Sequence, residues 1–427
     1  MKIIFPYRYR VLVMVFFLIL ITYLDRVSIA LVGVRIKTSF GLSNSQFGWV
    51  TGAFALAYAL FEIPSGMLGD RIGQKKILLR IVLWWSLFTA LTGVATSFTM
   101  LICFRFLFGM GEAGAFPASS GIISRWMPAS ETARGISSMF TGQYVGAAIA
   151  PLIVIPVAVA VGWRATFFVN GFIGIIWVLV CYWWFRNEPS GMKHISIAEL
   201  NKIQSERKYI PLQQRFSWND VVANSNIRRM VVPFFCSQWA LYFFVAWMPV
   251  YLQQGRHFSE STMKFIVSLI FIVGIIGALG SGMLGDWLTR TRNLAFSRRI
   301  IGMLALCMTG FSFLAAAIIS SDTVAAACLV TGNLFFAFFG NVAFSTCVDV
   351  GGNQAGTIAG VMNFFGQMGS FLLSVFFGKM VDATHNFNFP LYIIAAFLVT
   401  GGLVWLSVDP RKKVAPQTIK QVLATGG

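Results

Sequence analysis

The chain of 427 residues is 57% apolar and 15% aromatic, and only 11% of its residues are charged. A globular chain is about half apolar and about a quarter charged, so this chain has more hydrocarbon than one water-soluble core can bury. Its net charge of +18 is spread over separate segments, which argues against a nucleic-acid partner because such proteins gather basic residues on one face. The composition predicts a protein embedded in a lipid bilayer.

Apolar stretches of about 20 residues recur along the chain, and each is long enough to cross about 30 Å of hydrocarbon as a helix. The first six lie near 11–33, 47–69, 77–96, 99–121, 135–160 and 163–185. Six more lie near 230–252, 262–286, 299–318, 325–347, 356–380 and 388–408. The sequence therefore predicts an all-α integral membrane protein with twelve transmembrane helices in two pseudo-symmetric six-helix halves.

The polar segments between the spans set the predicted domain boundaries. We place the two halves at 1–186 and 230–410, a central loop at 187–229 and a tail at 411–427. Within the central loop, 195–208 has the pattern of a short amphipathic helix on the membrane face. If the N-terminus is cytoplasmic, the inner segments hold 25 of the 33 Lys and Arg residues. By the positive-inside rule we expect a multi-pass cell-membrane protein with both termini and the central loop in the cytoplasm.

The six cysteines all lie in predicted spans, at positions 103, 181, 236, 307, 328 and 347. Their spacing matches neither a disulfide framework nor a metal motif, so they are interpreted as small packing residues. We expect neither a metal nor a cofactor. The first apolar run has no cleavage site after it and is interpreted as a membrane span, not a signal peptide.

The hexapeptide SGMLGD occurs twice, at 65–70 and at 281–286. Each copy follows the second apolar span of its half and precedes basic residues, so the two halves form a parallel internal repeat. Glycine permits a tight turn and close helix approach. An aspartate at the start of the next helix can cap it. We therefore predict a turn at each copy.

The segment from Gly66 to Lys76 resembles the cytoplasmic loop signature of the major facilitator superfamily, and Gly282 to Arg290 resembles its weaker second copy. The resemblance covers the whole chain. It implies two halves that rock about a central site, which faces each side of the membrane in turn. It also implies a gating role for the loop residues Asp70, Arg71 and Asp286.

Charged side chains inside the predicted spans are the best guide to function, because each costs about 3 kcal/mol or more at mid-membrane and usually faces a pathway. The first half contains five of them: Asp25, Arg26, Glu62, Arg105 and Glu112. The middle of the second half offers only polar and aromatic residues: Ser237, Gln238, Trp239, Tyr242, Asn341, Ser345, Thr346, Asn363 and Gln367. Charge chemistry is therefore expected in the first half.

Arg26 is the candidate anchor for an anionic substrate, because a guanidinium group presents a planar fork that matches a carboxylate. All three histidines lie in predicted loops, so a proton relay inside the membrane has to use Asp25 and Glu112. Arg105 and Glu112 are two helical turns apart and share a face. The alternative interpretation is that Arg105 with Glu112, and Asp25 with a neighbour, are neutralising structural pairs.

The stretch Tyr23-Leu24-Asp25-Arg26, together with the stretch from Arg105 to Pro117, resembles the anion:cation symporter family of sugar-acid and organic-anion carriers. The resemblance implies that Arg26 binds a substrate carboxylate, that Asp25 and Glu112 carry the coupling protons, and that Arg105 serves the charge network of span 4. The residues expected to line the substrate site are Tyr23, Tyr58, Gln143, Trp239, Tyr242, Ser345 and Asn363.

Two positions depart from the family pattern. Ser345-Thr346-Cys347 stands where galactonate-type members carry a Thr-Trp pair, which puts an aromatic floor for a sugar in question. Glu62 stands where those members have Gln. It is either a third proton site or the partner of a loop arginine.

The sequence therefore predicts a monomeric, proton-coupled importer of a small organic anion, such as a sugar acid or a hydroxycarboxylate. The alternatives are an organic-anion exchanger, uniporter or exporter without proton coupling, and a nutrient receptor on a transporter fold. An enzyme would need a nucleophile, a base or a metal set at a membrane face. The sequence has no intramembrane histidine and no HExxH or GxSxG motif, so we do not expect an enzyme.

Overall fold

The computed structural model describes residues 6–206, 224–352 and 355–413, and these ranges contain helices and no β-strand. The helices up to the central loop are α1 Tyr7–Leu31, α2 Gly33–Phe40, α3 Asn44–Ile72, α4 Gln74–Gly93, α5 Phe98–Glu112, α6 Ala115–Trp126, α7 Thr132–Ala160, α8 Trp163–Trp184 and α9 Ile197–Glu206. Those after it are α10 Ser225–Tyr242, α11 Met248–Val250, α12 Glu260–Thr291, α13 Leu294–Ile318, α14 Asp322–Gly351, α15 Ala355–Thr384 and α16 Phe389–Trp405.

The described residues also form short helical segments of other types. Two 3-10 helices lie at Ala129–Glu131 and Pro189–Gly191. Two π-helical segments, Phe243–Trp247 and Tyr251–Gly255, flank α11. Pro249 within α11 has no N–H group and cannot donate a helical hydrogen bond there. The α-helix of span 7 is therefore interrupted by these π-helical segments. Span 4 is interrupted as well, because α5 and α6 are separate helices.

The membrane fold predicted from the sequence is confirmed. Eleven helical stretches of the described chain are long and apolar enough to cross a bilayer, and α16, at 17 residues, is a shorter apolar helix. These twelve stretches coincide with the twelve predicted spans. The protein is an all-α, multi-pass membrane protein.

The chain divides into two compact units, and the division does not fall at the central loop. Of the described residues, the first unit comprises 6–206, 242–272 and 370–387, and the second comprises 224–241, 273–352, 355–369 and 388–413. Within the first unit, α1 packs along α7, α3 along α5, and α4 along α8. Within the second, α13 packs against α14 and α16. Parts of α12 and α15 therefore belong to the same unit as α1 and α3.

Glycines allow α1 and α7 to approach closely. A Cβ atom at Gly142 would lie 2.7 Å from the carbonyl oxygen of Phe16, and one at Gly146 would collide with the carbonyl oxygen of Leu20. Small residues at such positions are how membrane helices gain van der Waals contact when lipid gives no hydrophobic drive for association. This contact fixes the helix that carries Asp25 and Arg26.

The repeated hexapeptide is helical in both copies, so the prediction of a turn there was wrong. Residues 65–70 lie within α3, and residues 281–286 lie within α12. The chain instead turns after the first copy at Gly73, whose φ of 89° is a conformation that only glycine adopts without strain. After the second copy the next helix is capped by the side chain of Asn293, which accepts from the backbone N–H of Phe296 at 2.8 Å.

The amphipathic helix predicted in the central loop is present as α9, and it binds the start of α1. Glu199 accepts hydrogen bonds from the backbone N–H groups of Tyr7 at 3.2 Å and Arg8 at 2.9 Å. A carboxylate in this place satisfies donors that have no partner within the helix and complements the positive helix end. Glu131 adds ion pairs with Arg8 and Lys202. The central loop is therefore attached to the start of α1 by hydrogen bonds and ion pairs.

We expect Gly146→Ala to destabilise the protein, because its methyl group would be forced against the Leu20 carbonyl and the α1–α7 contact would have to open. Overpacking of this kind costs about 1–3 kcal/mol. Thermal unfolding in detergent should show a lower midpoint for this variant. Gly340→Ala is the control, since a Cβ atom there has no heavy atom within 4 Å. Equal midpoints for the two variants would contradict the packing account.

Candidate substrate and proton site

A buried ion pair connects α1 to α5 in the first unit. Arg26 Nε donates to Glu112 Oε1, and the Glu112 side chain has no exposed surface. Arg26 Nη2 and Glu112 Oε2 are also buried, and neither has a hydrogen-bond partner among the residues that the structure describes. The pair is therefore strong at one contact and leaves one donor and one acceptor unused.

Aromatic rings surround the Arg26 guanidinium. Its central carbon lies 4.7 Å from the ring centroid of Tyr58, 4.9 Å from that of Tyr23 and 5.0 Å from that of Phe54. Ring faces attract a cation at these distances without replacing its hydrogen bonds. Tyr23 and Tyr58, two of the predicted lining residues, are thus placed at the predicted anchor. Phe54 was not predicted as a site residue.

Asp25 and Arg105 are the other two buried charges near this pair. No described residue donates a hydrogen bond of good geometry to either oxygen of the Asp25 carboxylate, which interacts electrostatically with Arg105 and lies near Asn170. Arg105 makes no ion pair within the part of the chain that the structure describes, and its guanidinium lies over the rings of Phe108 and Phe54 at 4.3 and 5.4 Å. Arg105 was one possible neutralising partner for Glu112, but the ion pair that forms is the one between Glu112 and Arg26.

Other predicted residues take different places in the first unit. The Tyr242 hydroxyl donates to the carbonyl oxygen of Thr51 at 2.6 Å, and the phenol interacts electrostatically with Arg105. Gln143 is half-buried on α7. Glu62 is buried one helical turn after Tyr58. The structure therefore brings Tyr242 to the charged cluster.

Three predicted lining residues belong to the second unit. The Trp239 ring stacks on Phe397 with centroids 4.2 Å apart and planes 9° apart, and its buried Nε1 has no hydrogen-bond partner. Ser345 and Asn363 are half-buried on α14 and α15. Trp239 thus packs against Phe397 and also has a donor that no described residue uses, and its role in the substrate site stays a prediction.

The predicted gating residues lie near the ends of α3 and α12. Arg71 and Asp286 are both exposed. The backbone of Asp70 is helical, and its side chain lies outside the described part of the structure. The gating role of the three residues stays a prediction.

Sequence reasoning missed a polar cluster at the end of the first unit away from Tyr7. Arg35 binds Glu260 through two hydrogen bonds of 3.0 and 2.7 Å. Lys37 donates to Asn44 and, at 2.6 Å, to Gln254. Asp382 accepts from the backbone N–H groups of Asn44 at 3.1 Å and Ser45 at 2.7 Å, which caps α3. Apart from the Lys37–Asn44 bond, these bonds join α2 and α3 to segments more than 200 residues away, so no local pattern revealed them.

The cluster continues inward as a tight helix contact. The hydroxyl groups of Thr51 and Ser374 lie 2.5 Å apart. A Cβ atom at Gly48 would collide with the carbonyl oxygen of Ser374, and Trp247 stacks on Phe377. This end of the first unit is therefore closed by direct contact between α3, the α10–α12 segment and α15.

The described chain is thus a bundle of apolar, membrane-length helices with an arginine–carboxylate pair buried between two of them. Residues 15–374 match the family model described as Major Facilitator Superfamily. The chain belongs to this superfamily and is a transporter, not an enzyme.

Several bacterial relatives align along almost the whole chain. It is 32% identical over 94% of both chains to the "Probable sulfoacetate transporter SauU" of Cupriavidus necator. It is 30% identical to the "D-galactonate transporter" of Escherichia coli, over 93% of this chain and 95% of the relative. It is also 30% identical to the "Probable galactarate/D-glucarate transporter GudP" of Bacillus subtilis, over 95% and 93%.

Solved structures confirm the fold. A bacterial homolog of the human lysosomal transporter Spinster, in an inward-facing and unoccupied conformation, matches with a TM-score of 0.77 at 20% identity, over 95% of this chain and 98% of that chain. A D-xylose-proton symporter matches with a TM-score of 0.78 at 13% identity, over 96% of this chain and all of that chain. At these identities the match concerns the architecture alone.

Lys37 gives the polar cluster a predicted pH dependence. Burial lowers the pKa of Lys37 to about 8, and Asp382 opposes this by raising the pKa. Between about pH 8 and the ordinary lysine value of about 10.4, the unfolded chain holds more protons than the folded one, so stability rises with pH. We expect this contribution to disappear in Lys37→Met.

The measurement is the difference in thermal midpoint between wild type and Lys37→Met across pH 7.5 to 10. Other groups titrate equally in both proteins, so the difference isolates Lys37. It should grow in favour of wild type as the pH rises. A difference that stays constant across this range would rule out the shifted lysine.

Proposed function

We propose that this protein is a proton-coupled symporter that imports a small organic anion, such as a sugar acid, by alternating access. The observation that carries the proposal is the buried Arg26–Glu112 pair, with an unused donor on Arg26 and an unused acceptor on Glu112. An anion and Glu112 compete for one guanidinium. A proton on Glu112 settles that competition in favour of the anion.

The coupling follows from the cost of separating buried charges. Removing one partner of a buried ion pair costs about 3–5 kcal/mol because the other charge is left uncompensated. The anion can therefore take Arg26 only when Glu112 is neutral. When the anion leaves, Glu112 has to lose its proton to restore the pair, and the empty carrier then returns with no net charge at this contact.

Asp25 is the second candidate proton carrier. It lies next to Arg26 in sequence, is buried, and has neither oxygen committed to a hydrogen bond. A buried carboxylate without a partner is costly when charged. A bound proton removes that cost, so Asp25 has a reason to exchange protons during the cycle.

The names of the relatives support an organic acid as the substrate. Sulfoacetate, galactonate, galactarate and glucarate are small, and all carry at least one carboxylate or sulfonate. In an exchanger, uniporter or exporter without proton coupling, Arg26 would still bind the anion. Protonation of Glu112 would then have no part in the transport cycle. We therefore keep symport as the proposal.

The positive-inside distribution orients the proposed cycle. With both termini in the cytoplasm, the cluster of Arg35, Lys37, Glu260 and Asp382 lies on the outer side, and the conformation described is closed there. Asp70, Arg71 and Asp286 are then cytoplasmic, where we propose that they stabilise the opposite closed state. In this scheme the protein works as a monomer, and its halves 1–186 and 230–410 move relative to each other. The cytoplasmic loop 187–229 joins the halves, and the cytoplasmic tail 411–427 follows the second half.

Arg26→Lys should weaken substrate binding at least tenfold, although the charge is kept. Lysine cannot hold a carboxylate through two parallel N–H bonds, and it cannot stack flat among the rings of Tyr23, Phe54 and Tyr58. Ligand-induced thermal stabilisation, screened with organic acids, measures the loss. Arg164→Lys is the control, because Arg164 is exposed and also stacks on an aromatic ring. Unchanged affinity in Arg26→Lys would remove Arg26 from the anchor role.

Glu112→Gln should separate binding from coupling. Glutamine imitates the protonated carboxyl group, so the variant should still exchange labelled for unlabelled substrate across proteoliposomes at equal pH. Accumulation driven by an inward proton gradient should fail, because the empty carrier cannot restore the ion pair with Arg26.

The two assays are run side by side on the same proteoliposomes. Gradient-driven accumulation that survives in Glu112→Gln would exclude Glu112 as a proton carrier. Loss of exchange with an unchanged thermal midpoint would make Glu112 a binding residue. Wild-type uptake that ignores the pH gradient would favour a carrier without proton coupling.

A further inference from the structure

Arg105 is a buried cation whose donors are not used. It is 2% exposed, and no described residue makes a hydrogen bond or an ion pair with it, although Tyr242, Glu112 and Asp25 lie near enough to act on it electrostatically. Its Nε is fully enclosed and has no partner. Leaving buried charged donors unpaired costs more than about 1–3 kcal/mol per group. Such a residue is expected to have a partner that arrives from outside the protein.

The aromatic contacts of Arg105 do not replace that partner. Its guanidinium lies over Phe108 and Phe54, and a cation–π contact of this kind contributes about 0.5–2 kcal/mol. The contacts hold the planar group in place by its faces. Its N–H donors point outward in the plane of the group, where an acidic group can bind them.

Arg105 and Arg26 share one of these rings. The guanidinium carbon of Arg26 is 5.0 Å from the Phe54 centroid, and that of Arg105 is 5.4 Å from it. The two carbons are thus no more than about 10 Å apart. A Cβ atom at Gly109 would lie 2.5 Å from the Phe54 carbonyl oxygen, so α5 is in direct contact with the backbone that carries this ring. This separation is within the length of one small molecule that carries an acidic group at each end.

The two arginines differ in how they become available. Arg26 is released only when Glu112 is neutral. Arg105 makes no ion pair with a described carboxylate, and Glu112 and Asp25 act on it only through longer-range electrostatic attraction. Asp25 attracts Arg105 electrostatically, but its oxygens make no hydrogen bond to Arg105. A ligand with one acidic group satisfies Arg26 and leaves Arg105 as it is. A ligand with two acidic groups satisfies both.

We propose that Arg105 is a second substrate anchor and that the protein selects dianions, molecules with acidic groups at both ends of a short chain. This inference rests on the proposed transport of organic anions by the Arg26 site and narrows its substrate class. One acidic group binds Arg26, and the other binds Arg105. A monoanion of the same length binds more weakly because it leaves buried donors of Arg105 unpaired.

Matched pairs of ligands test the proposal. Galactarate and galactonate, sulfoacetate and isethionate, and malonate and 3-hydroxypropionate differ in one end, where a carboxylate replaces a CH2OH group. Dissociation constants for all six are measured on the purified full-length protein by calorimetry or ligand-induced thermal stabilisation. In wild type, the dianion of a pair should bind at least tenfold more tightly than its monoanion.

Arg105→Gln should reduce this preference to less than threefold by weakening the dianion alone. The readout is the ratio of two affinities in one variant, so a general loss of folded protein does not imitate the effect. Arg105→Lys should restore part of the preference, because a cation returns without the planar fork. Arg164→Gln is the control, since it removes an arginine that also stacks on an aromatic ring, in an exposed position, and it should keep the wild-type ratio.

Three outcomes would overturn the proposal. One is a monoanion that binds as tightly as its dianion in wild type, and another is a preference that survives in Arg105→Gln. The third is a loss of dianion and monoanion affinity by the same factor, which would make Arg105 a structural residue. If none of the six ligands and no wider set of organic acids binds wild type, the proposed function itself fails, and the inference fails with it.

Discussion

The arrangement of the first unit depends on one contact, the buried ion pair between Arg26 and Glu112. Two opposite charges removed from water are tolerated only while they stay together and their geometry is good. The pair therefore restricts α1 and α5 to positions in which the guanidinium reaches the carboxylate. Glycines on the neighbouring helices make this possible, because Gly142 and Gly146 let α7 touch α1, and Gly109 lets α5 touch α3. The close packing and the charge pair require each other.

Polar groups that have partners and polar groups that lack them lie in different parts of this unit. The end that carries Arg35, Lys37, Glu260 and Asp382 is rich in hydrogen bonds that satisfy every charged partner named there. In the interior, polar atoms without a hydrogen-bond partner among the described residues remain: both Asp25 oxygens, Arg105 Nε, Arg26 Nη2 and Glu112 Oε2. Buried polar groups without partners mark a candidate binding site. The polar cluster at the end of the unit holds the helices in register around these groups.

The sequence predicted the membrane fold well because apolar length is a local property. It also selected Asp25, Arg26, Arg105 and Glu112, since charge inside a span is costly wherever it lies. It did not predict which charges pair. Arg105 and Glu112 share a helix face, but Glu112 finds Arg26, which is 86 residues away and on another helix. The Arg35–Glu260 bond spans 225 residues. The repeated hexapeptide was expected to turn, but its helix continues to Ile72 in one copy and Thr291 in the other, because helical hydrogen bonding tolerates its glycines.

The break between α5 and α6 has a mechanical consequence. In a continuous helix the carbonyl of Ala113 would accept from the residue four positions later, but that residue is Pro117, which has no N–H group to give. Glu112 is the last residue of α5, so the missing bond comes directly after it. Span 4 is therefore divided into two helices that meet at Ala113–Gly114, where one helical hydrogen bond is lost. A change in the Glu112–Arg26 contact acts at the end of α5, directly beside this weakened position in the span.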